Sequence, residues 1–444
     1  MKTENLGTEK NNRSRTHAHR KEALARKKFL SLRRELFDEN NIPASSKEII
    51  ENFDKIVESV RNLSGKQKVV LYSHIKNLSH QLTDDRGSRR LGYMNEASSI
   101  SAYISYFMWW NLVRFTRLFA NLPKTAFDSL VKSETPVAID VGSGTLTVVI
   151  ALWLARPELR EKKIKWYCMD LSQTALSAGE EIYLAIAAKT LAAEKSSVTE
   201  LWNIVRVKGA FGTSIKEKAD FIACGNVFNE ILQRNEMPTD FLAKRYTGEL
   251  LSYLKSEESS VLLVEPGDPH SARFISLMRD ALIRQNFSPV APCPHAETCP
   301  MSGRTNGRTT DRYGKNAKWC NFSFDAETAP ARLKKISEKS GLPKERATLS
   351  FVVSKKMAAV QNQNLRQGTS ASFSESKTFI RIASDFIRLP ELHKSGYYAC
   401  SQFGLLLAID ENHIQPKNGE LLQITVPEDL SQRDKKSGAI IAKI

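Results

Sequence analysis

Four of the six cysteines lie in polar, loop-like sequence, where their thiols could bind a metal. Cys293 and Cys299 are separated by five residues. The other two are Cys320, which follows a tryptophan, and Cys400, which lies far along the chain. Zinc knuckles usually place about two to four residues between paired cysteines, so the first spacing is wide for zinc. Four thiolates suit an iron–sulfur cluster or zinc, and the spacing alone also leaves unrelated free thiols open.

The remaining two cysteines have a different environment. Cys168 and Cys224 lie inside apolar runs typical of buried strands, and we expect them to be small buried hydrophobes. Cys224 lacks the Pro-Cys context of nucleophiles that methylate carbon 5 of pyrimidines, so it is not predicted to be catalytic. Six cysteines in 444 residues are also too few for a secreted disulfide scaffold.

A glycine turn predicts a nucleotide-type ligand. The apolar run Val137–Val141 leads directly into Gly142-Ser143-Gly144, and glycines at such a turn let a ligand approach the backbone closely. A dinucleotide-binding fingerprint needs a small residue where this chain has Thr147. The acid-x-Gly-x-Gly pattern that starts at Asp140 is instead typical of S-adenosylmethionine-dependent methyltransferases. The predicted cofactor-binding residues are therefore Asp140, Gly142 and Gly144.

A second carboxylate completes this prediction. Asp170 ends the next apolar run, where a carboxylate can accept both ribose hydroxyls of the ligand. Catalysis is less well marked, because the fourth run ends in Cys224-Gly225-Asn226, without the Asn/Asp-Pro-Pro-aromatic turn of enzymes that methylate exocyclic base nitrogens. No catalytic residue is assigned, and enzymatic activity stays open.

The elements that position these residues follow from hydrophobic patterning. From Thr135 onward, short apolar runs alternate with helical stretches, as in a parallel sheet with crossover helices. Strands are predicted over Val137–Val141, Ile164–Met169, Trp202–Val207, Asp220–Cys224 and Ser260–Val264. Ser288–Ala291 and Leu349–Val353 are predicted to close the sheet as an antiparallel pair, interrupted by the cysteine-rich stretch. The predicted fold is α/β, a Rossmann-like class I S-adenosylmethionine-dependent methyltransferase core with an N-terminal helical unit and a C-terminal cysteine-cluster/β module.

Six segments are predicted along the chain. They are a basic arm over 1–40, a helical domain over 41–130, the methyltransferase domain over 131–290, a cysteine-cluster segment with a closing strand over 291–355, a flexible loop over 356–376 and a small β unit over 377–444. In the helical domain Ser45 and Glu48 have capping-box spacing, and aromatic residues between Ile100 and Phe119 are expected to be core. Strands are expected in the β unit over Tyr397–Ile409 and Leu421–Val426.

The formal net charge of +16 is unevenly distributed. Between Met1 and Arg34, eleven Lys and Arg residues stand against three Glu, a net of +8. Two further basic stretches, 304–318 and 332–346, surround the cysteines. This excess favours a phosphate-bearing partner, although a solvated tail stays open. No apolar stretch reaches membrane-spanning length and no signal peptide is evident, so neither a membrane nor export is expected.

Several motifs together resemble the mitochondrial and bacterial small-ribosomal-subunit methyltransferase-like family. They are Phe228-Asn229-Glu230-Ile231-Leu232, Val264-Glu265-Pro266-Gly267, Pro292-Cys293-Pro294-His295, Cys299-Pro300 and Trp319-Cys320-Asn321-Phe322-Ser323, and the resemblance covers roughly Tyr93 to Ile409. The family has a third glycine where this chain has Leu146, beside the expected methionine end of the ligand. The chain also has a longer basic insertion, Ser302–Lys318.

The resemblance implies a factor that binds small-subunit rRNA and assists assembly of the small ribosomal subunit, with S-adenosylmethionine as a cofactor. It also implies a four-iron–four-sulfur cluster held by Cys293, Cys299, Cys320 and Cys400, with zinc as the alternative. The competing functions are an active rRNA methyltransferase and, from another class, a small-molecule methyltransferase with an incidental basic tail. We expect a monomer, cytoplasmic in a bacterium or in the mitochondrial matrix of a eukaryote.

Overall fold

A computed structural model describes residues 33–83, 93–232, 236–255, 258–302, 318–356 and 377–444. Most of the predicted basic arm, most of the Ser302–Lys318 insertion and the predicted flexible loop lie outside the described residues. The helices are α1 (Ala44–Glu51), α2 (Phe53–Val60), α3 (Gly65–Thr83), α4 (Ala97–Ala102), α5 (Trp109–Asn121), α6 (Asp128–Lys132), α7 (Thr147–Ala155), α8 (Gln173–Glu194), α9 (Phe228–Ile231), α10 (Thr239–Tyr253), α11 (Pro269–Arg284) and α12 (Ala331–Lys339). Among the described residues, no helix is both long and apolar enough to cross a bilayer.

The larger sheet has the strand order β3-β2-β1-β4-β5-β8-β6, with β7 paired to β8. Its strands are β1 (Val137–Val141), β2 (Lys165–Asp170), β3 (Asn203–Lys208), β4 (Phe221–Gly225), β5 (Ser260–Glu265), β6 (Phe287–Ala291), β7 (Phe322–Asp325) and β8 (Arg346–Lys356). The first five are parallel, and β8 runs antiparallel to both β5 and β6. This order confirms the predicted class I methyltransferase core, and the five parallel strands agree with the predicted bounds within one residue at each end.

Burial explains why the parallel strands could be recognised. All residues of β1 and β5 are buried, as expected for strands covered by helices on both faces. All nine residues of α7 are buried too, because it is covered by α5 and α8 of the surrounding helical layer. The closing pair β6 and β8 is present as predicted, and the cysteine-rich stretch, β7 and α12 lie between its two strands in sequence.

The amino-terminal helices pack against the core through buried polar anchors as well as apolar contacts. Trp109 Nε1 donates to the carbonyl of Ile50 at 2.8 Å, and Ser46 Oγ donates to the carbonyl of Leu154 at 2.7 Å. The capping-box prediction is wrong: α1 begins at Ala44, so Ser45 lies inside the helix, where its hydroxyl donates to Glu194 instead. Tertiary contact overrides the local signal here.

The aromatic-rich segment is core, as predicted, but it is not one regular helix. Trp109, Trp110, Phe115 and Phe119 are buried. A π-helical segment, Tyr103–Met108, separates α4 from α5. Such segments shift the direction of side chains within a helix and occur often at functional sites. Here the segment places Tyr103 near the carboxyl edge of the larger sheet, as described below.

The carboxyl-terminal unit is a six-stranded sheet. Its strands are β9 (Lys377–Ile382), β10 (Ile387–Leu389), β11 (Lys394–Ser401), β12 (Gly404–Asp410), β13 (Leu421–Thr425) and β14 (Ile440–Lys443). The single strand expected over Tyr397–Ile409 is wrong, because β11 and β12 form a tight hairpin there. Gly404, which pairs with Ser401 across the turn, has a φ of +116°, which only glycine adopts readily, and it allows the reversal between the two strands.

The order of the main strands in this unit is β13-β9-β11-β12-β14, with β10 paired to β11. Only β12 and β14 pair in parallel. Numbered along the chain with β10 left out, these strands have the order 4-1-2-3-5 with the third and fifth parallel, which is the connectivity of the oligonucleotide/oligosaccharide-binding fold, a partly open Greek-key barrel. The end strands β13 and β14 are not paired with each other, and the unit is called the barrel below for its connectivity. Residues 33–40 are attached to this barrel, since Arg34 forms a β-bridge with Leu421 and Arg33 pairs with Glu420.

Candidate cofactor pocket and cysteine centre

The glycine turn after β1 leaves space for a ligand on one side only. Gly142 and Gly144 have positive φ angles, +66° and +50°. A Cβ on Gly142 would lie 2.5 Å from Val227 Cγ2, so this residue packs against the loop after β4. A Cβ on Gly144 would meet nothing within 4 Å. The open space beside Gly144 lies at the carboxyl edge of the sheet, where doubly wound folds bind ligands.

Asp140 places an uncompensated carboxyl group under this turn. Its side chain is fully buried, and neither carboxylate oxygen has a hydrogen-bond partner among the described residues. Burial, with a smaller contribution from the charge of nearby Asp170, raises the pKa of Asp140 to about 8. A buried carboxyl group without a partner is costly, and a bound ligand with positive charge would offset that cost.

Asp170 is held beside the same turn by two backbone hydrogen bonds. Its Oδ2 accepts from the Gly144 N–H at 2.9 Å, and its Oδ1 accepts from the Ser172 N–H at 2.8 Å. Burial raises the pKa of Asp170, while these two N–H groups oppose the rise. Each oxygen retains a lone pair for a further donor. The structure thus brings Asp140, Gly142, Gly144 and Asp170 together at one edge of the sheet.

The Leu146 side chain packs into the core and not into the open space beside Gly144. The residue adopts a left-handed conformation with φ of +58° and is fully buried. Its Cδ1 lies 2.7 Å from the position that a Cβ of Gly179 would take, so the side chain fits against the bare backbone of α8. The absence of a side chain at Gly179 gives Leu146 room away from the ligand.

The loop after β4 is fixed by a carboxylate from the neighbouring strand. Glu265, at the end of β5, accepts backbone N–H bonds from Val227 and Phe228 at 2.8 Å and from Asn229 at 3.1 Å. Burial raises the pKa of Glu265 to about 8, and these three N–H groups oppose the rise. The two sequence motifs around Glu265 and Phe228 are therefore parts of one structure, a contact that spacing alone did not predict.

The amino-terminal helical unit covers this edge of the sheet. The Ser172 hydroxyl donates to Asn95 Oδ1 at 2.7 Å. Tyr103, in the π-helical segment, is close enough to Glu230 and Asp170 for their charges to add to the effect of burial, and together these raise the pKa of the phenol. A ligand in the open space beside Gly144 would lie between the sheet edge and this helical cover.

The four candidate metal-binding cysteines come from three separate parts of the fold. Cys293 and Cys299 lie in the loop after β6, Cys320 precedes β7, and Cys400 lies on β11 of the barrel. Each of the four thiols interacts electrostatically with the other three. They therefore form one group at the junction of core and barrel. Cys168 and Cys224, expected to be structural, are fully buried in β2 and β4, outside this group.

Burial dominates the chemistry of these thiols. It raises the pKa of Cys299 to about 11 and raises the pKa of Cys320 and Cys400 well above the usual value, with the neighbouring cysteines adding to the effect. Thiols with such pKa values are protonated at neutral pH, so a metal would have to displace their protons on binding.

Two arginines lie beside the thiols that the sequence did not single out, together with His295 of the Pro292-Cys293-Pro294-His295 motif. Arg279, on α11, donates from Nε to Cys293 Sγ at 3.1 Å, and Arg381, on β9, lies directly opposite Cys400 in the strand register. His295 Nε2 lies 3.1 Å from Cys400 Sγ, and its Nδ1 is buried without a partner in the described residues. Arginines beside candidate metal ligands leave no signal in sequence spacing, because they come from distant elements.

The arrangement does not match a site for one metal ion. In the described part of the chain, no group of three or more His, Cys, Asp or Glu side chains is placed to hold a single ion. Zinc requires sulfurs at about 2.3 Å from one point, whereas a multi-iron cluster separates its ligand sulfurs more widely. Cys299 and Cys400 are buried and Cys293 and Cys320 are partly buried, and Arg279 and Arg381 place positive charge beside the group.

Comparison with known proteins identifies one family. Residues 110–386, more than half of the chain, match the family model described as mitochondrial small ribosomal subunit Rsm22. No curated protein sequence matches the chain.

Solved structures similar to this chain are methyltransferases. Magnesium protoporphyrin IX methyltransferase from Synechocystis PCC 6803 is 10% identical, with 60% of this chain and 96% of that chain covered and a TM-score of 0.33. A putative RNA methyltransferase from Pyrococcus horikoshii is 12% identical, with 64% and 98% covered and a TM-score of 0.28. An S-adenosylmethionine-dependent methyltransferase from Thiobacillus denitrificans, in complex with S-adenosyl-L-homocysteine, is 16% identical, with 53% and 91% covered and a TM-score of 0.28. Because all three TM-scores are low, the assignment of the methyltransferase fold rests on the strand order of the larger sheet.

Proposed function

The chain belongs to the family described as mitochondrial small ribosomal subunit Rsm22, and from this premise we propose that it binds small-subunit rRNA and assists assembly of the small ribosomal subunit. The family description favours the mitochondrial small subunit as partner and the mitochondrial matrix as compartment. The protein acts as a monomer in this proposal.

The proposal of rRNA binding is supported by the position at which the basic insertion joins the described fold. Lys318, the last residue of the insertion, places its ammonium group 4.5 Å from the ring centroid of Tyr398 on β11. Tyr398 lies on the outer side of the barrel hairpin, in a small apolar cluster with Leu407 and Ala439. The insertion Ser302–Lys318 carries five Lys and Arg residues against one Asp. The basic insertion therefore joins the fold next to a barrel of a type that binds oligonucleotides, and its positive charge suits their phosphates.

The methyltransferase core binds S-adenosylmethionine in this proposal. Asp170 would accept hydrogen bonds from the ribose hydroxyls, Asp140 would balance positive charge, and the backbone beside Gly144 would lie against the ligand. The bound cofactor would supply an activated methyl group on a sulfonium centre. The uncompensated Asp140 carboxyl group and the open space beside Gly144 support this assignment.

The cysteine group holds a four-iron–four-sulfur cluster in this proposal, with zinc as the alternative. Cys293, Cys299, Cys320 and Cys400 would be the ligands. The cluster would supply a structural link between core and barrel, because its ligands come from both. Four thiols, two of them buried, beside two cationic side chains support this part of the proposal.

Methyl transfer to rRNA is the second candidate function. It is favoured by the polar cover over the pocket, where Tyr103 lies near Asp170 and Glu230. No residue there is assigned a catalytic role. Tritiated methyl transfer to immature small subunits tests this candidate, with Gly144→Val as the matched variant, since its side chain would fill the open ligand space. Methyl incorporation that is abolished in Gly144→Val would establish methyltransferase activity. Absence of incorporation by the unmodified chain would overturn this candidate and leave assembly as the proposed function.

RNA crosslinking in cells tests the main proposal. The tagged full chain should crosslink to small-subunit rRNA, and the crosslinks should decrease when Arg304, Arg308, Arg312, Lys315 and Lys318 are replaced by Gln. Lys244→Gln, an exposed change on α10, is the control and should leave the crosslinks unchanged. Crosslinks no stronger than those of an unrelated basic protein would contradict rRNA binding.

A further inference from the structure

Arg114, on α5, and Lys344, in the loop between α12 and β8, are neighbouring cations without a carboxylate partner. Among the described residues, no Asp or Glu forms an ion pair with either side chain, whereas Arg117, one turn further along α5, pairs with Glu39. Partial removal from water and the charge of Arg114 lower the pKa of Lys344 to about 8. Two like charges held close together disfavour the fold, and a bound anion would offset that cost.

Two hydrogen bonds fix the guanidinium group of Arg114. One terminal nitrogen donates to the Thr348 carbonyl at 2.9 Å, and the other donates to Asn111 Oδ1. The bond to Thr348 lies at the protein surface, so a ligand can reach this nitrogen. Each terminal nitrogen of arginine carries two N–H groups, and each therefore keeps one for a further acceptor. A fixed guanidinium with free N–H groups is suited to phosphate oxygens.

Lys344 supplies the second charge from within a groove. Its side chain is accessible to solvent and lines a groove of about 1440 Å³ between the core and the barrel. Its ammonium group lies 5.9 Å from the ring centroid of Trp110. Trp110 and Arg114 are four residues apart on α5 and therefore share a helix face. The groove thus gives an extended ligand access to the side of α5 on which both cations lie.

A chain of polar contacts links Arg114 to the cofactor pocket. Asn111, which accepts from Arg114, also makes a side-chain hydrogen bond with the Tyr103 phenol. Tyr103 in turn lies close enough to Asp170 to interact with its charge. Thr348, the carbonyl partner of Arg114, lies just beyond the end of β5, because β8 is antiparallel to that strand. The two cations therefore lie at the same carboxyl edge of the larger sheet as the cofactor pocket.

Positive charge continues from this pair along α12. The basic stretch 332–346 carries six Lys and Arg residues against two Glu. Lys335 and Lys339 are exposed and one turn apart on α12, about 6 Å along its axis, and neither forms an ion pair in the part of the chain that the structure describes. The Lys339 ammonium group lies 5.1 Å from the ring centroid of Tyr72 on α3. Cations interspersed with aromatic rings are typical of surfaces that bind single-stranded nucleic acids.

We infer that Arg114 and Lys344 bind a phosphate group of an RNA strand that lies along α12 and reaches the carboxyl edge of the sheet. The inference rests on the proposed binding of rRNA and deepens it, because it assigns a second contact surface apart from the basic insertion. The phosphate supplies the negative charge that both cations lack. The bound strand then passes beside the cofactor pocket.

Charge reversal at Lys344 tests this site while keeping the contacts of Arg114. Lys344→Glu gives Arg114 a carboxylate partner, so the Tm should stay the same or rise although the phosphate is repelled. Arg114→Lys keeps the charge but loses the planar guanidinium. Lys244→Glu is the control, since it reverses an exposed lysine on α10, which packs on the other face of the sheet from α5.

The probe is a fluorescein-labelled oligouridylate of about 12 nucleotides, titrated with the full chain at several salt concentrations. We expect Lys344→Glu to bind it at least tenfold more weakly and Lys244→Glu to bind it like the unmodified chain. Loss of one phosphate contact lowers the slope of log K against log salt by about 0.7 for a single strand. Arg114→Lys should also weaken binding, because an ammonium group cannot replace a bidentate guanidinium. Inorganic phosphate is titrated in parallel.

The outcomes separate this inference from the proposed function. Unmodified affinity and salt dependence in Lys344→Glu, with weaker binding in the variant of the basic insertion, would overturn this site and leave rRNA binding intact. An effect of Lys344→Glu on inorganic phosphate but not on the oligonucleotide would show an anion site only and would also overturn the inference. A Tm of Lys344→Glu well below that of the unmodified chain would contradict the lack of a counter-charge at Arg114. An unmodified chain that binds no RNA would overturn the proposed function and this inference together.

Discussion

Replacement of Gly179 by alanine should damage the cofactor pocket without touching the ligand. A Cβ at this position in α8 would lie 2.4 Å from the Thr145 carbonyl carbon and 2.7 Å from Leu146 Cδ1. Ordinary contact begins near 3.4 Å, so the turn must move by about 1 Å relative to α8. Backbone atoms cannot rotate away as a side chain can, so we expect the turn that carries Gly144 to shift from its position.

Two effects of this change can be estimated separately. Overpacking typically costs about 1 to 3 kcal/mol of unfolding free energy. Loss of one well-placed hydrogen bond to the ligand costs a similar amount, about 1 to 3 kcal/mol, which corresponds to roughly 5- to 150-fold in Kd. We therefore expect Gly179→Ala both to unfold at a lower temperature and to bind S-adenosylmethionine much more weakly.

Calorimetric titration and thermal unfolding measure the two effects, and the chain contains a matched control. Gly248 lies inside α10, where an added Cβ would meet nothing within 4 Å. Gly248→Ala should raise stability by about 0.5 to 1 kcal/mol and leave affinity unchanged. Wild-type affinity in Gly179→Ala would refute the reasoning that α8 positions the turn. Leu146→Ala should lower stability by about 2 to 5 kcal/mol with little effect on affinity, and tighter binding would show that Leu146 obstructs the ligand after all.

Further predictions concern charge and metal. Asp170→Ala should weaken S-adenosylmethionine binding by about 1 to 3 kcal/mol in calorimetry, and an unchanged Kd would exclude the ribose contact. Asp140 has a pKa raised to about 8 in the fold, so it destabilises the fold increasingly as pH rises above the ordinary carboxyl pKa towards 8. In thermal melts without ligand, Asp140→Asn should therefore be more stable than the unmodified chain at pH 8 and similar to it near pH 4; an advantage that does not vary with pH would contradict the assignment. Replacement of four basic residues of the arm by Gln, at Arg13, Arg15, Arg20 and Lys21, should lower rRNA affinity for all sequences. It should also reduce the slope of log K against log salt by roughly 3 to 4, whereas replacements in a solvated tail would change neither quantity. Anaerobic protein should be brown and lose iron and sulfide on Ser substitution at any one of Cys293, Cys299, Cys320 and Cys400, but retain both on substitution at Cys168 or Cys224; colourless protein with one zinc would favour the zinc alternative.

The methyltransferase core was predictable because its signals are local. A central parallel strand is covered on both faces, so β1, β4 and β5 read as short apolar runs that stop where the sheet ends. Asp140 and Asp170 could be placed at one edge because each follows directly from its own strand. The hairpin of β11 and β12 was missed, since both strands are apolar and only Gly404 marks the turn between them.

Contacts between distant segments were not predictable in this way. The capping box at Ser45 was a correct local pattern, yet α8 supplies Glu194 as a partner for its hydroxyl and the helix begins earlier. Glu265 fixes the loop after β4 through three N–H bonds, although the two segments are far apart in sequence. The sequence pattern placed Leu146 beside the expected methionine end of the ligand, but it could not show that Gly179 lies against this side chain.

The sequence by itself determined the fold class, the glycine turn with its two carboxylates and the family, and it separated Cys168 and Cys224 from the other four cysteines, although Cys400 lies in a strand and not in the loop-like surroundings expected. Each of these depends on residue types within one element, whose periodicity and end points are set by backbone geometry. The tertiary structure alone decided which way Leu146 packs, that thiols from core and barrel share one group, and that Arg381 lies opposite Cys400 in the strand register. Burial and electrostatic compensation are properties of side chains brought together by folding, so no spacing along the chain encodes them.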